Sequence, residues 1–308
     1  MTELLSRVRA WCRVLAVVSC SLAGACSDRV KIGQDLPLAN TGDNGGRGGG
    51  SSAGAPARED AAGAPAECRI TACQGKVYDC GNCVDDDRDG LADAADSQCT
   101  GPCDDTEDSY FGGIPGQNNA PCHSDCYFDQ DTGPGNDQCY WSQSCDPLSV
   151  ASDYPPSGDS HCAYDPDTHI PATSASCAEL RATQSASCAA YCGPLTPNGC
   201  DSFGCCELPA GSSHFVWLGS TDGNQGSCNE KTLDDPAACH PCTPVPSTFK
   251  PCAPCQVCVG RPAAVADAIC PNATDRCPRG ERACGQAGEL ACDVDEYCVT
   301  GCCEPAPK

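Results

Sequence analysis

Carboxylates recur at every second position near the start of the cysteine-containing part of the chain. Residues 85–96 read DDDRDGLADAAD, which places Asp at positions 1, 3, 5, 9 and 12 of a twelve-residue loop. Gly90, at position 6, permits the sharp turn that such a loop needs. Calcium takes six to eight oxygen ligands, and the alternation lets the first three carboxylates point inward. We therefore predict a calcium site whose ligands are Asp85, Asp87, Asp89, the Leu91 backbone carbonyl, Asp93 (directly or through water) and Asp96.

The flanks of this loop distinguish it from a helix–loop–helix calcium site. Position 12 is Asp96 where an EF-hand carries Glu, and no amphipathic helices flank the loop, only Cys80, Cys83, Cys99 and Cys103. Residues 80–103 resemble the DxDxDG calcium repeats of thrombospondin type-3 and dockerin-like modules. The resemblance implies weak binding, with a dissociation constant of about 10⁻⁴ to 10⁻³ M, as in extracellular modules. A solvated acidic loop without an ion is the alternative.

A second acidic stretch, residues 129–137, repeats the alternation less completely. Asp129, Asp131 and Asp137 carry the carboxylates, but Pro134 stands where a tight calcium loop requires Gly. Two interpretations stay open at this point: a surface turn, which is the default, and a second calcium site.

The charge of the chain limits its partners. The formal net charge is -24, and residues 68–170 hold 20 Asp and Glu against three basic residues, Arg69, Lys76 and Arg88. Nucleic-acid binding needs clustered Lys and Arg to neutralise phosphates, so we expect no nucleic-acid partner. Cations are the partners that this charge favours.

Cysteine dominates the composition, with 33 Cys among 308 residues, of which 30 lie between Cys68 and Cys303. In an exported chain such a set predicts up to fifteen disulfides, which replace an extensive apolar core. Two adjacent pairs, Cys205-Cys206 and Cys302-Cys303, stand too close along the backbone for a normal bridge. Each member should therefore bond a different, distant partner. Both pairs occur as Gly-Cys-Cys-Glu, which hints at a duplicated local geometry.

Three Cys-x-x-Cys spacings leave other sulfur chemistry open. They begin at Cys80, Cys239 and Cys252, and structural zinc would require their thiolates to stay reduced, which export disfavours. Cys239-His240-Pro241-Cys242 has the spacing of a thiol oxidoreductase. Such a motif lowers a thiol pKa at a helix N-terminus, and the prolines at 244 and 246 prevent a helix there.

Few regular elements are predicted. Ser176 and Glu179 form a capping box, and Gly193-Pro194 ends the pattern, so we predict one short helix over about 177–192. The segment 214–218 predicts a strand, and Trp141 and Trp217 are the expected core aromatics, with a carbohydrate-stacking platform as the alternative. The expected fold is a small disulfide-rich, loop-dominated protein with short β-strands.

The N-terminus predicts export and a lipid anchor. Residues 1–26 have the basic start and uncharged run of a signal peptide, and Leu22-Ala-Gly-Ala-Cys26 resembles a bacterial lipobox, although Leu lies one position early. Lipidation is predicted at Cys26, because it leaves an even number of cysteines; cleavage at Cys20, or ordinary cleavage without a lipid, are the alternatives. Residues 27–67 are rich in Gly, Ala, Ser and Pro and predict a disordered linker, or tether.

These features predict an exported lipoprotein of the cell envelope, anchored at the outer membrane or cell surface, with calcium as its cofactor. The predicted regions after the linker are an acidic calcium-loop module (68–110), a central disulfide-rich region (111–235) and a C-terminal one (236–308). The pattern resembles cysteine-rich bacterial surface lipoproteins, which implies a non-enzymatic binding or structural module whose protein or glycan partner is unknown. The alternative is a tethered extracellular hydrolase with structural calcium, which needs a polar cleft beside Trp141 or Trp217 with two carboxylates.

Overall fold

The computed structural model describes residues 68–306 except 74, 113–117, 120–121, 130–134, 149–161, 171, 224, 272–275, 278 and 287. The predicted signal peptide (1–26), its lipidated Cys26 and the predicted linker (27–67) lie outside the described residues. The described residues belong to one unit, Arg58–Lys308. Backbone hydrogen bonds join its distant parts, for example from Tyr110 to Cys228 and from Gly260 to Ser97.

Short antiparallel strands make up the regular structure of the described chain, in four two-stranded sheets and one three-stranded sheet. The pairs are β1 (Ala72–Cys73) with β2 (Lys76–Val77), β6 (Cys205–Glu207) with β7 (Phe215–Trp217), β8 (Thr221–Asp222) with β9 (Gln225–Gly226), and β10 (Glu296–Val299) with β11 (Cys302–Pro305). The three-stranded sheet contains β3 (Asn118–Asn119), β4 (His123–Ser124) and β5 (Trp141–Ser142). The predicted strand at 214–218 is present as β7. The fold is therefore the disulfide-rich, loop-dominated one that the composition predicts.

The predicted helix over 177–192 is present as two helices, α1 (Cys177–Ala182) and α2 (Ala186–Leu195). The capping box of Ser176 and Glu179 is formed at the start of α1. The helix is interrupted because the Gln184 side chain turns inward, where its amide donates to the Tyr140 and Leu180 carbonyls and its oxygen accepts from the Tyr140 amide. Ser185 then caps α2. A further helix, α3 (Ala263–Ile269), was not predicted.

Fifteen disulfides use all thirty cysteines from Cys68 to Cys303. The bridges are 68–83, 73–103, 80–99, 122–162, 126–192, 139–188, 145–177, 200–206, 205–242, 228–239, 252–258, 255–270, 277–302, 284–298 and 292–303. The members of each adjacent pair bond different partners, as predicted, although Cys206 bonds Cys200, which is only 6 residues away rather than distant. Cysteines 80, 83, 239 and 242 are bonded outside their own motifs, whereas Cys252 is bonded to Cys258 at the other end of its Cys-x-x-Cys-x-x-Cys run. The sulfurs of all these cysteines are therefore not thiolates in this structure.

The core of the described residues is built largely around sulfur. Its main cluster contains 23 buried residues, ten of which are cysteines. Trp141 is 5% exposed and packs near Phe203, with ring centroids 6.0 Å apart. Trp217 lies in a neighbouring cluster with four cysteines. Both tryptophans are therefore core residues, as expected, and disulfides supply the contacts that apolar side chains supply in larger cores.

The two Gly-Cys-Cys-Glu sequences adopt the same local geometry. Gly204 and Gly301 have φ values of +82° and +80°, a region that favours glycine, and each precedes a strand of an antiparallel hairpin. A Cβ on Gly204 would lie 2.7 Å from the Tyr127 ring. The two sequences thus share the backbone conformation of their glycine, as the repeated motif suggests. Their disulfides differ, because one pair has a partner later in the chain and the other pair has only earlier partners.

None of the helices in the described part of the chain has the length and apolar character needed to span a bilayer.

Candidate metal centre

Disulfides and short turns hold the acidic loop of residues 85–96 in place. Its leading end is fixed by the Cys68–Cys83 bridge and its trailing end by the Cys80–Cys99 bridge. A 3₁₀ turn at Asp93–Ala95 follows the loop's glycine and packs against a second such turn at Asp79–Gly81. Disulfides therefore restrain both ends of the loop, which limits how far its carboxylates can separate.

The first three alternating carboxylates converge. One oxygen each of Asp85, Asp87 and Asp89 lies within 4.8 Å of the others. Backbone amides further along the loop orient them: Asp85 accepts from Arg88 at 2.6 Å and from Gly90 at 3.1 Å, Asp87 from Asp89 at 3.0 Å, and Asp89 from Leu91 at 2.7 Å. Gly90 has a φ of +100°, which explains the glycine at this position. Three oxygens at this spacing are an arrangement that a hard cation can bridge.

Asp96, the predicted ligand at position 12, is buried below the protein surface. It is 4% exposed; its Oδ1 accepts from the Gln98 amide at 2.7 Å, while its buried Oδ2 has no hydrogen-bond partner. Burial raises the pKa of Asp96 to about 7; the Gln98 amide opposes the rise, and the charges of Asp89 and Asp87 add to it. Asp96 therefore feels the charges of Asp87 and Asp89, but the structure does not group its oxygens with the three that converge.

Asp93 has different neighbours from the other predicted ligands. Its Oδ1 accepts from the Cys83 amide at 3.2 Å, and its Oδ2 lies 3.1 Å from the bridged Cys68 sulfur. Burial raises its pKa, which the Cys83 and Asn82 amides oppose. Asp93 therefore fastens the start of the loop to its end, and the structure does not group it with Asp85, Asp87 and Asp89. The Leu91 amide donates to Asp89.

Glu107 supports the loop and was missed in the sequence. It is 2% exposed, and its two oxygens accept from the Asp86 and Asp93 amides, each at 2.6 Å. Burial raises the pKa of Glu107, and these two amides lower it again. Glu107 thus joins both ends of the loop to the following segment. The only sequence signal was its position in a run of acidic residues, which gives no spacing to interpret.

At the second acidic stretch, the terminal aspartates are buried whereas Gly135 and Asn136 are exposed, so the surface turn and the second calcium site both stay open as predictions. Asp129 is 2% exposed and Asp137 is 0% exposed, and both lie beside Asp125, which is 1% exposed. Burial raises the pKa of Asp125 to about 9, and the charges of Asp137 and Asp129 add to the rise. Asp131 and Pro134 lie outside the described residues. Asp125 was not among the predicted ligands, because it stands outside the alternating pattern.

The structure also contains the cavity on which the hydrolase alternative depends. Trp141, Trp217, Asp146 and Asp201 line it together with His240, but its volume is about 20 Å³, which accommodates roughly one water molecule. Backbone amides saturate both carboxylates: Asp146 accepts from residues 148 and 243, and Asp201 accepts from residues 203, 205 and 245. These carboxylates position loops, and the cavity has no space for a sugar or a peptide.

A larger cavity, of about 360 Å³, lies between the start of the described chain and the C-terminal hairpin. The Asp93–Ala95 turn lines part of it, so it borders the acidic loop. Its rim carries exposed apolar side chains, namely Ile70 at 62%, Leu290 at 71% and Val294 at 86%. Among the predicted calcium ligands, Asp93 lines this cavity.

Searches of protein-family models, curated proteins and solved structures found no match to this chain.

Proposed function

We propose that the protein is an exported, membrane-tethered, calcium-binding lipoprotein that acts as a binding or structural module of the cell envelope. The observation that carries the proposal is the convergence of Asp85, Asp87 and Asp89 within 4.8 Å. A buried Asp96 oxygen without a hydrogen-bond partner supports it, since the charges of Asp87 and Asp89 act on Asp96.

Charge explains why a calcium ion suits this group. Like-charged carboxylates at this spacing repel one another, and a divalent cation converts the repulsion into coordination. The amide hydrogen bonds to Asp85, Asp87 and Asp89 hold the side chains in place and leave further carboxylate oxygens for the ion. Asp96 Oδ2 would then gain the partner that it lacks. Asp93 serves the site by holding the loop closed.

The disulfides support export. Fifteen bridges form and persist only in an oxidising compartment, such as the periplasm or the cell surface. A membrane tether through a lipid on Cys26 accords with this location.

The cavity of about 360 Å³ supports a binding role in preference to catalysis. It is rimmed by exposed apolar side chains and borders the acidic loop, so an ion in the loop would stiffen one wall of it. The hydrolase alternative receives no such support, because the carboxylates beside the two tryptophans are saturated by amides in a space of about 20 Å³. The partner for the larger cavity is a protein or a glycan of the cell envelope.

Calorimetric titration of the purified protein with calcium tests the metal site. We expect Asp87→Asn to weaken one class of sites by about tenfold or more, because it removes a converging charge. Asp86→Asn is the matched control: it makes the same charge change in the same loop, but the Asp86 side chain accepts from Asn82. Equal binding by wild type and Asp87→Asn would refute the loop site.

Metabolic labelling with a palmitate analogue tests the tether. Wild-type protein should be labelled and fractionate with membranes, and Cys26→Ser should lose the label. Label retained by Cys26→Ser would direct attention to Cys20 instead.

A further inference from the structure

Three aspartates outside the acidic loop lie buried together beside α2. Asp125 directly follows β4, Asp129 lies four residues later, and Asp137 precedes β5. Their exposures are 1%, 2% and 0%, so none of the three carboxylates faces solvent. Surface acidic clusters are common and unremarkable, but buried acidic groups are rare unless they are paired.

Two disulfides bring these residues together. Cys126, next to Asp125, is bonded to Cys192, and Cys139, two residues after Asp137, is bonded to Cys188. Cys188 and Cys192 lie four residues apart on α2 and therefore share one face of that helix. Both segments that carry the carboxylates are thus fastened to the same helix face, which fixes the spacing of the carboxylates before any ion binds.

The carboxylates converge on one point. Oxygens of Asp129 and Asp137 and the Cys126 sulfur all lie within 4.8 Å of one another. The Asp125 carboxylate lies within hydrogen-bonding reach of Asp137. Because the Cys126 sulfur is part of a disulfide, it is not a thiolate ligand, and the site offers oxygen only.

The carboxylates of Asp125 and Asp137 lack well-formed hydrogen bonds. All four of their carboxylate oxygens are buried without a hydrogen-bond partner in good geometry, although the Cys126 amide lies near Asp125. The strongest charges that act on Asp125 are the negative charges of Asp137 and Asp129. Burial of unpaired carboxylates at this separation is unfavourable unless a proton or a cation is also present.

Other buried carboxylates in this protein do accept hydrogen bonds, so the lack of well-formed hydrogen bonds is a local property of Asp125 and Asp137. Asp104, which is 0% exposed, accepts from the Thr100 amide, the Thr100 hydroxyl and the Thr106 amide. Asp201, which is 1% exposed, accepts from three backbone amides. The fold therefore satisfies buried carboxylates with amides where they are structural.

We propose that Asp125, Asp129 and Asp137 form a second, buried calcium site, separate from the acidic loop. Three carboxylates can supply up to six oxygens, which is within the range that calcium takes, and their charge of three exceeds that of the ion by only one. Magnesium dehydrates reluctantly and keeps several waters, for which an enclosed site is unsuitable. Zinc and other softer ions prefer nitrogen and sulfur ligands, which the site does not offer.

Native mass spectrometry of the purified protein in calcium counts the ions. We expect two ions on the wild type, one on Asp87→Asn, and one on Asp137→Asn. Asp146→Asn is the matched control, because Asp146 is equally buried but its oxygens are bound by amides; it should keep both ions. Magnesium in excess should not displace the ion that Asp87→Asn retains.

The counts separate this inference from the loop site. One ion on the wild type and none on Asp87→Asn would overturn the buried site and leave the loop site standing. One ion on the wild type that persists in Asp87→Asn and disappears in Asp137→Asn would support the buried site and refute the loop. Displacement of the retained ion by magnesium would overturn the assignment to calcium. If Asp137→Asn does not fold, the wild-type and Asp87→Asn counts still decide.

Discussion

The acidic loop and the buried carboxylates place the same chemical groups in opposite environments. In the loop, amides two to five residues ahead bind Asp85, Asp87 and Asp89, and solvent screens their charges. At Asp125 and Asp137, the carboxylate oxygens have no hydrogen-bond partner in good geometry among the described residues, although the Cys126 amide lies near Asp125, and burial removes the screening. The loop can therefore keep its shape without an ion. The buried group requires an ion or a proton to balance its charge.

Disulfides are common to both regions, so reduction should produce the largest effect. Two bridges anchor the loop and two fasten the buried carboxylates to α2. A reductant breaks all fifteen bridges; each stabilises by roughly 2 to 4 kcal/mol, and the combined loss of fifteen exceeds the stability of a typical domain. We expect a reductant to unfold the protein and abolish calcium binding at both sites, as followed by near-ultraviolet circular dichroism and calorimetry.

The control for this experiment is alkylation without a reductant. Fifteen bridges predict that no cysteine from Cys68 to Cys303 reacts, and that the intact mass of the protein is 30 hydrogens below that of the reduced chain, two for each bridge. Alkylation of four or more of these cysteines after treatment with a chelator alone would instead indicate thiolates bound to zinc.

Removal of single bridges should separate the two regions. Replacement of Cys139 and Cys188 by Ser should lower the free energy of unfolding by about 2 to 5 kcal/mol and eliminate the buried site. Replacement of Cys68 and Cys83 by Ser should weaken the loop site and cost less, because its bridge closes 15 residues rather than 49. Denaturant unfolding measures the loss of stability in each variant, and native mass spectrometry counts the ions that each variant retains. Loss of the same site in both variants would contradict the separation.

Substitution of two buried aspartates, Asp201 and Asp125, should change the free energy of unfolding in opposite directions. Asp201→Asn should destabilise by about 1 to 3 kcal/mol, because an amide cannot accept from all three backbone donors. Asp125→Asn, measured in a chelator at pH 8, should stabilise by a similar amount, because Asn can be buried there without the proton or ion that the carboxylate requires. Thermal unfolding compares them. Destabilisation by both variants would mean that Asp125 has donors after all.

The stability difference between wild type and Asp201→Asn should also depend on pH. Burial raises the pKa of Asp201 to about 6, above its ordinary value of 3.8, although the Val245, Cys205 and Phe203 amides oppose the rise. The folded state therefore holds a proton that the unfolded state has lost between these values, so stability from this group falls as pH rises from about 4 to about 6. The advantage of wild type over Asp201→Asn should shrink over that interval and stay constant above it. An advantage that grows with pH would contradict the raised pKa.

The smallest change in stability is expected for a substitution in the acidic loop when calcium is absent. Asp87→Asn in a chelator should change the free energy of unfolding by less than about 0.5 kcal/mol, since surface substitutions outside special features rarely exceed that. Calcium should then stabilise the wild type more than it stabilises this variant. Denaturant titrations with and without calcium measure the difference. A large effect in the chelator would show that Asp87 is structural.

Local features of the sequence were sufficient to predict the loop. Alternating carboxylates and a glycine at a fixed offset predict the convergence of Asp85, Asp87 and Asp89, because the spacing acts over a few residues. The capping box of Ser176 and the separate partners of Cys205 and Cys206 follow from equally short-range rules. The calcium in the loop and the lipid on Cys26 remain predictions.

Long-range bonds determine what the sequence did not reveal. Asp125 lies twelve positions from Asp137, and the two meet because their neighbours are bonded to α2. Disulfide connectivity cannot be read from cysteine positions, so no spacing rule selects this pair. The interruption at Gln184 has a similar origin, since its partner Tyr140 is 44 residues away. The role of Glu107 likewise depends on a tertiary contact.

The adjacent cysteines impose an order on oxidation as the chain is made. Cys206 is bonded to Cys200, which precedes it, whereas the partner of Cys205 is Cys242, which is synthesised later. Until Cys242 appears, two neighbouring thiols compete for Cys200, and an incorrect bridge to Cys205 has to be resolved by thiol exchange. The partners of Cys302 and Cys303 are already present when these two residues are synthesised, because Cys277 and Cys292 both precede them. Of these two hairpins, the earlier one in the chain is therefore the one at which we expect an incorrect bridge that thiol exchange has to correct.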